Sequence, residues 1–413
     1  MLIYTDTDTD TDTDTDTDTD TDTYLPSTFT IRFAMFRRND DPAGAPVIAK
    51  LQPGEERRVH TPLISNMEVL PPDVLVCALD TMSHGHPLIR TSTPSSSNSP
   101  EFYAFQKLLR QLYRSPDLSL RNVQRLRGHL HRLYTLQRMD GAQLTLKCAP
   151  SPDTRLLRAE ERGLETEAKI LHMIRTSTQV PVPQRVSCDL STANSLRTAY
   201  LLRSYIHGTS LADLTADLSR SERAGVDRAL GFHLRSLCQL QLESFGTTHR
   251  VAAGRGHATW SKAFSGLLEA ILRDCEDALI SLPYEIIRCY AGKHKHYLDD
   301  IREPRFIPLD VGGAQSVLLD DRSKQVVGLL GFSNIAWGDP MLADVFSDPS
   351  EAFWQGFGGR PVNDAGYRVR RLLYYTYRSV VALATHYYRP QQNAGESDAR
   401  RVMTWAITQL DAI

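Results

Sequence analysis

Residues 132–174 read RLYTLQRMDGAQLTLKCAPSPDTRLLRAEERGLETEAKILHMI. Two strand-like runs flank Asp140-Gly141, a dipeptide that favours a tight hairpin turn. Apolar residues then recur at helical spacing, which predicts a helix over about 157–175. The stretch therefore predicts an antiparallel hairpin followed by a helix.

Glu167 is the most informative residue of this stretch. At 100° per residue it falls within the apolar stripe of the helix, whereas Glu165 falls outside it. The stripe consists of Leu164, Ala168, Leu171 and Ile174. A carboxylate on a buried face is costly unless a cation meets it, and the nearest candidate is Lys147 on the preceding strand. We predict that the two residues pair, with Leu146 and Cys148 on the other face of the strand. The alternative is a solvated Lys147 and a Glu167 at the rim.

The flanking sequence extends this pattern into two lobes. A strand is predicted at 199–206, and Ser219-x-x-Glu222 is a capping box that opens a helix expected to stop at Gly246. A second hairpin pattern occupies 305–332, and two more helical patterns follow it. A small β-rich lobe ahead of a larger helical lobe is typical of folds that hold a nucleotide in the cleft between them.

Two aspartates have candidate roles. Asp310 ends an apolar strand in IPLDVGGAQS, where a carboxylate can accept a hydroxyl proton. The alternative is an aspartate that merely accepts hydrogen bonds from the amides of the turn at Gly312-Gly313. Asp339 precedes Pro340, which predicts a structural N-cap with proline at the first helical position.

The N-terminal region differs in composition from the rest of the chain. Residues 5–23 are a Thr-Asp repeat that holds nine of the 49 acidic residues, so 40 acids face 47 bases elsewhere. That mild excess of base suits a phosphate-bearing ligand, but it is too scattered to predict a nucleic-acid partner. We predict that residues 1–103, which end in a Ser/Pro-rich linker, form a disordered extension that is dispensable for folding.

The remaining composition predicts a cytoplasmic protein without a membrane partner. No apolar run is long enough for a membrane helix, and the six cysteines contain no C-x-x-C pair, which predicts reduced thiols. Three histidine pairs have a spacing that a metal could use, but no third ligand accompanies any of them. They are His84/His86, His129/His131 and His294/His296.

The motifs ERGLETEAKIL, YLLRSYIHGTSL and WGDP follow one another between about residues 120 and 390. In sequence and in order they resemble motifs of the aminoglycoside phosphotransferase and choline kinase-like superfamily. This resemblance implies an α+β, two-lobed protein-kinase-like fold, with an N-lobe at 104–206 and a C-lobe at 207–413. It also implies transfer of phosphate from ATP, with Mg²⁺, to the hydroxyl of a small-molecule substrate.

The resemblance also implies roles for individual residues. Lys147 and Glu167 would hold the phosphates of ATP, and Gly128 would lie in the loop that covers the nucleotide. Asp310 would be the catalytic base, and Asp339 would shape the helix behind the site.

The metal-binding positions depart from the family pattern. In the family's H-x-D-x-x-x-x-N stretch this chain has Pro308 for His and Gln315 for Asn, and Gly331 aligns with the family's metal-binding Asp. Magnesium prefers hard, anionic oxygen ligands, which glycine and glutamine do not supply. Restoring both ligands, as Gln315→Asn with Gly331→Asp, is expected to make ATP binding magnesium-dependent.

Three other residues could substitute as metal ligands: Asn334, Asp320 and Asp321. Two functions stay open on this sequence. One is an ATP-dependent phosphotransferase of impaired activity. The other is a catalytically inactive pseudo-phosphotransferase that acts as a binding or scaffold module.

Overall fold

The N-terminal lobe is built on a six-stranded antiparallel sheet. The computed structural model describes residues 93–94, 99–126, 130–389 and 395–413. The strands of this sheet are β1 (Thr93–Pro94), β2 (Leu120–Leu126), β3 (Arg132–Arg138), β4 (Gln143–Cys148), β5 (Arg185–Asp189) and β6 (Tyr200–Ser204). Their spatial order is β1-β2-β3-β4-β6-β5. Asp140-Gly141 forms the predicted turn between β3 and β4, where Gly141 has φ +89°, a conformation that favours glycine.

Two helices cover the two faces of this sheet, whereas the sequence predicted one. Helix α1 (Pro100–Tyr113) packs on the face that carries Leu146 and Cys148. Helix α2 (Gly163–Ser177), which begins later than the predicted residue 157, packs on the opposite face. The linker prediction missed α1 because Pro100 directly follows the Ser/Pro-rich run. Proline is favoured in a first helical turn, and Ser99 caps this one.

The predicted start of the N-lobe at residue 104 therefore falls inside a helix. We expect a chain that begins at residue 104 to be several kcal/mol less stable than one that begins at residue 92. It loses the Ser99 cap, which is typically worth ~1 kcal/mol. It also loses the buried Phe102, and removing such a side chain costs about 3–5 kcal/mol. Urea unfolding of the two truncated chains measures this difference, and equal midpoints would contradict it.

The C-terminal lobe is mainly helical. Its helices are α3 (Leu211–Leu214), α4 (Arg220–Cys238), α5 (Thr248–Ala252), α6 (Trp260–Asp277), α7 (Tyr284–Lys293), α8 (Lys295–Leu298), α9 (Glu351–Phe357), α10 (Ala365–Tyr388) and α11 (Glu396–Asp411). The predicted capping box of Ser219 and Glu222 opens α4. The helix ends at Cys238 rather than at Gly246, because the chain then bonds to a strand: the Phe306 amide donates to the Leu240 carbonyl.

Two three-stranded sheets complete this lobe. Their strands are β7 (Thr209–Ser210), β8 (Gly246–Thr247), β9 (Arg305–Pro308), β10 (Val317–Leu319), β11 (Val326–Leu329) and β12 (Ile335–Gly338). One sheet has the order β11-β10-β7, and the other has the order β8-β12-β9. The predicted hairpin over 305–332 is thus partly wrong: β10 and β11 form a hairpin, but β9 pairs with β12. This non-local pairing brings the loop after β9 beside the loop before β12.

The predicted lobe boundary at residues 206 and 207 falls between β6 and β7, which belong to different sheets. Within the described residues, no helix combines the length and apolar character needed to cross a membrane.

Candidate functional site

The predicted ion pair between Lys147 and Glu167 is present. The Lys147 ammonium, on β4, lies 2.5 Å from Oε2 of Glu167, on α2. The Glu167 side chain is 1% exposed and that of Lys147 is 12% exposed. Glu165 is more exposed and pairs with Arg162 and Lys169 on the outside of the helix. The apolar stripe of α2 therefore carries one buried carboxylate, as the helical spacing predicted.

Two further residues share this carboxylate, and the sequence pattern predicts neither of them. Arg203, on β6, donates to Oε1 of Glu167. The Ser333 hydroxyl lies 2.9 Å from Oε2 of Glu167 and also bonds Lys147. Arg203 escaped notice because a lone arginine in an apolar strand gives no periodic signal. Ser333 escaped because its loop lies 166 residues from Glu167 along the chain.

Lys147, Glu167, Arg203 and Ser333 form one cluster, in which burial and charge shift the pKa values in opposite directions. Burial disfavours the ionised form of Glu167, but the charges of Lys147 and Arg203 and the hydrogen bonds from Lys147 and Ser333 outweigh it and lower its pKa to about 2. Burial lowers the pKa of Lys147, and the nearby guanidinium of Arg203 lowers it further, while Glu167 opposes both effects. Two cations thus compete for one buried carboxylate.

Asp310 directly follows β9, and its charge acts on Lys147. Its side chain is exposed, but neighbouring protein atoms reduce the hydration of the carboxylate and raise its pKa to about 7. The Glu160 carboxylate adds to this shift, whereas a hydrogen bond from Asn334 and the charge of Lys147 oppose it. The alternative role at the turn does not describe this aspartate well, because the Ser316 hydroxyl, not Asp310, accepts from the Gly312 amide.

The raised pKa of Asp310 predicts a pH-dependent stability. Between about pH 4 and pH 7 the folded state holds a proton that the unfolded state has released, so stability falls as pH rises through this window and levels off above it. Asp310→Asn removes this titration. We expect the unfolding free energy of the wild type, relative to Asp310→Asn, to decline over that window. A flat difference between the two proteins would contradict the shift.

The segment 149–162 connects the two lobes, and its Glu160 is a residue whose charge acts on Asp310. Its Glu160 accepts two hydrogen bonds, of 2.8 and 2.6 Å, from Arg389 at the end of α10. Its Arg158 pairs with Asp274 on α6. These contacts tie the segment after β4 to helices α6 and α10 of the C-lobe.

The residues at the implied magnesium positions do not fit that ion. Gly331 has φ +91°, and a Cβ there would lie 2.5 Å from the Asp310 carbonyl oxygen, so the backbone excludes a side chain. Asp320 does not substitute, because its carboxylate accepts from backbone amides in the turn between β10 and β11. Asp321 lies in the same exposed turn. Among the described residues, no group of three or more His, Cys, Asp or Glu could hold a metal ion.

A cavity of about 170 Å³ opens between the sheet of the N-lobe and the β10–β11 hairpin. Its apolar walls are Leu126, Leu133, Ile206, Leu318 and Leu330. Polar side chains line the rest, including Gln124, Thr135, Thr145, Arg203, Asp213 and Gln315. Gln315 therefore faces a cavity, while Gly128 lies outside the described residues.

A second cavity, of about 200 Å³, lies beside the start of α2 and is lined by His131, Glu161 and Arg162 among others. None of Lys147, Glu167, Arg203 and Ser333 lines this second cavity. Arg203 lines the first cavity, and we therefore place the candidate site there.

Asp339 has the structural role that the sequence predicted. It is buried, caps the short 3₁₀ helix Pro340–Leu342 through the Met341 amide, and accepts from the Tyr374 hydroxyl at 2.8 Å. Arg370 lies 3.3 Å from the same carboxylate. This aspartate ties the end of β12 to α10 and is not among the residues that line the cavity.

Comparisons with known proteins agree with the architecture. No protein-family model matches the sequence, and no curated protein matches it. Among solved structures, one from Ralstonia eutropha, classed with the aminoglycoside phosphotransferases, superposes with a TM-score of 0.52 at 10% identity. It covers 75% of this chain and 97% of its own. A thermostable mutant of aminoglycoside phosphotransferase APH(4)-Ia gives a TM-score of 0.50 at 15% identity, covering 74% of this chain and 97% of its own. The two-lobed, kinase-like α+β fold is thereby confirmed.

Proposed function

We propose that this protein binds a nucleoside triphosphate, ATP by its resemblance, in the cavity between the lobes. The observation that carries the proposal is the buried Lys147–Glu167 pair, which joins β4 to α2. Its carboxylate also pairs with Arg203, which lines that cavity. A strand lysine held by a helix glutamate is the device that positions nucleotide phosphates in kinase-like folds. A glutamate that has no such partner would be expected on the solvent-exposed face of the helix.

The shape and chemistry of the cavity support a base-binding role. Leu126 and Leu133 form one wall and Leu318 and Leu330 the other, and such apolar walls suit a flat purine ring. The peptide stretch 204–206, which links β6 to the C-lobe, lines the edge between them. Its backbone offers the hydrogen-bonding groups that a base edge requires.

We further propose that phosphate transfer to a small-molecule hydroxyl is slow. In this proposal Asp310 accepts the hydroxyl proton, and its pKa near 7 leaves it about half ionised at neutral pH. The charge that develops on the transferred phosphoryl is normally offset by metal ions, which Gly331 and Gln315 do not recruit. The alternative, a binding module without activity, rests on the same backbone obstruction at Gly331.

Isothermal titration with ATP tests the binding proposal. We expect Lys147→Ala to weaken ATP binding by at least about tenfold, since a charge-assisted contact to phosphate is lost. Lys169→Ala is the matched control, because this lysine lies on the exposed face of α2 and pairs with Glu165. Equal ATP affinities for wild type, Lys147→Ala and Lys169→Ala would contradict the proposed site.

A further inference from the structure

Arg203 is a buried arginine in an unusual position. It lies on β6 opposite Thr145 of β4 and is 6% exposed. Its guanidinium donates to one oxygen of Glu167 while Lys147 holds the other oxygen. Because the lysine already pairs with this carboxylate, the arginine is not required to neutralise it.

The cluster therefore carries a surplus of positive charge. Lys147 and Arg203 contribute two cations, Glu167 contributes one anion, and Ser333 is neutral, which leaves a net charge of about +1 in a largely buried place. Asp310 is a further acidic group that acts on Lys147, and at neutral pH it is only partly ionised. Asp213 also lines the cavity, where its carboxylate accepts a hydrogen bond from the Ser210 hydroxyl. A buried unpaired cation is costly, so such a place is suited to an anionic ligand.

A second observation points the same way. The Nε of Arg203 is buried and has no hydrogen-bond partner among the described residues. Arg203 lines the cavity together with Gln315, which stands where the family pattern has a metal-binding Asn. Buried donors are almost always paired in folded proteins, and a ligand acceptor in the cavity would pair this one.

We propose that Arg203, together with Lys147, binds phosphate oxygens of the nucleotide directly and supplies the positive charge that magnesium supplies in the family this chain resembles. A divalent cation with one carboxylate ligand has a net charge of +1, which is also the charge of the Arg203 guanidinium. The planar guanidinium also presents several donors in a fixed geometry that matches phosphate. This inference rests on the proposed nucleotide binding and assigns its phosphate contacts.

The test compares ATP with adenosine, which has the base and ribose but no phosphate. Both are titrated in EDTA into the wild type, Arg203→Met, Arg203→Lys and the control Arg185→Met, whose arginine is exposed on the neighbouring strand β5. We expect Arg203→Met to weaken ATP binding by about tenfold and leave adenosine binding unchanged. Arg203→Lys keeps the positive charge but loses the planar arrangement of guanidinium donors, so we expect this variant to bind ATP about threefold more weakly than the wild type. Arg185→Met matches the wild type.

Each other outcome overturns the inference in a recognisable way. If adenosine and ATP weaken together in Arg203→Met, the arginine is structural. If ATP affinity is unchanged in both Arg203 variants, the residue does not contact phosphate. Arg203→Lys decides alone if Arg203→Met fails to fold, and an ATP affinity equal to that of the wild type overturns the role. If the wild type binds neither ATP nor adenosine, the proposed nucleotide binding itself is wrong. In the other two outcomes the wild type still binds nucleotide, and only the role of Arg203 is wrong.

Discussion

Glu167→Ala should lower the free energy of unfolding by about 3–5 kcal/mol, because it leaves Lys147 and Arg203 buried without their carboxylate. The loss should be largest near neutral pH. The lowered pKa of Glu167, about 2, means that the ion pairs stabilise the fold above the unfolded pKa of roughly 4.5 and are lost as pH falls toward 2. Urea unfolding at several pH values measures both effects.

Glu165→Ala is the matched control for this substitution. Glu165 lies two positions earlier on the same helix, but its partners are exposed, so its removal should change stability by less than about 0.5 kcal/mol. A double-mutant cycle of Glu167→Ala with Lys147→Ala, and another with Arg203→Met, should each show coupling. Absence of coupling in both cycles would refute the shared ion pair.

Gly331→Asp should destabilise the protein by about 2–4 kcal/mol and should not create a metal site. A non-glycine residue at this φ of +91° costs roughly 1–2 kcal/mol. The added Cβ would also meet the Asp310 carbonyl oxygen, and the loop must shift to relieve that contact. The sequence-based expectation that Gln315→Asn with Gly331→Asp restores magnesium-dependent ATP binding is therefore revised.

Gly141→Asp separates the two costs in that prediction. Gly141 has nearly the same φ, +89°, but no atom lies within 4 Å of the Cβ position. Its substitution should cost only the conformational part, so Gly331→Asp should be more damaging by at least about 1 kcal/mol. If Gln315→Asn with Gly331→Asp is as stable as the wild type and binds ATP in a magnesium-dependent way, the backbone at this position yields and the account of the obstruction is wrong.

Local patterns predicted the parts of the site that lie close together in sequence. The Lys147–Glu167 pair followed from helical spacing and from the strand that precedes it, and the Asp339 cap followed from the Asp-Pro dipeptide. These features depend on a few neighbouring residues, so one segment of sequence contains the information.

Features that depend on distant pairing could not be predicted in this way. The pairing of β9 with β12 joins strands on either side of the β10–β11 hairpin. The sequence pattern instead favoured pairing between neighbouring strands. The role of Arg203 depends on a carboxylate 36 residues away. The obstruction at Gly331 depends on the backbone of Asp310, which a sequence alignment of side chains does not represent. Helix α1 was missed for a local reason, since its first residue, Pro100, resembles the end of the Ser/Pro-rich linker.

The most direct test of the account is the affinity of the wild-type protein for ATP with and without magnesium. Titration is carried out at constant ionic strength, once with excess MgCl₂ and once with EDTA. If Lys147 and Arg203 hold the phosphates, the two dissociation constants should agree within about threefold, or roughly 0.6 kcal/mol. ATP binding that weakens by about tenfold or more in EDTA would contradict the account, because a bound metal would then be contributing what we assign to these two side chains.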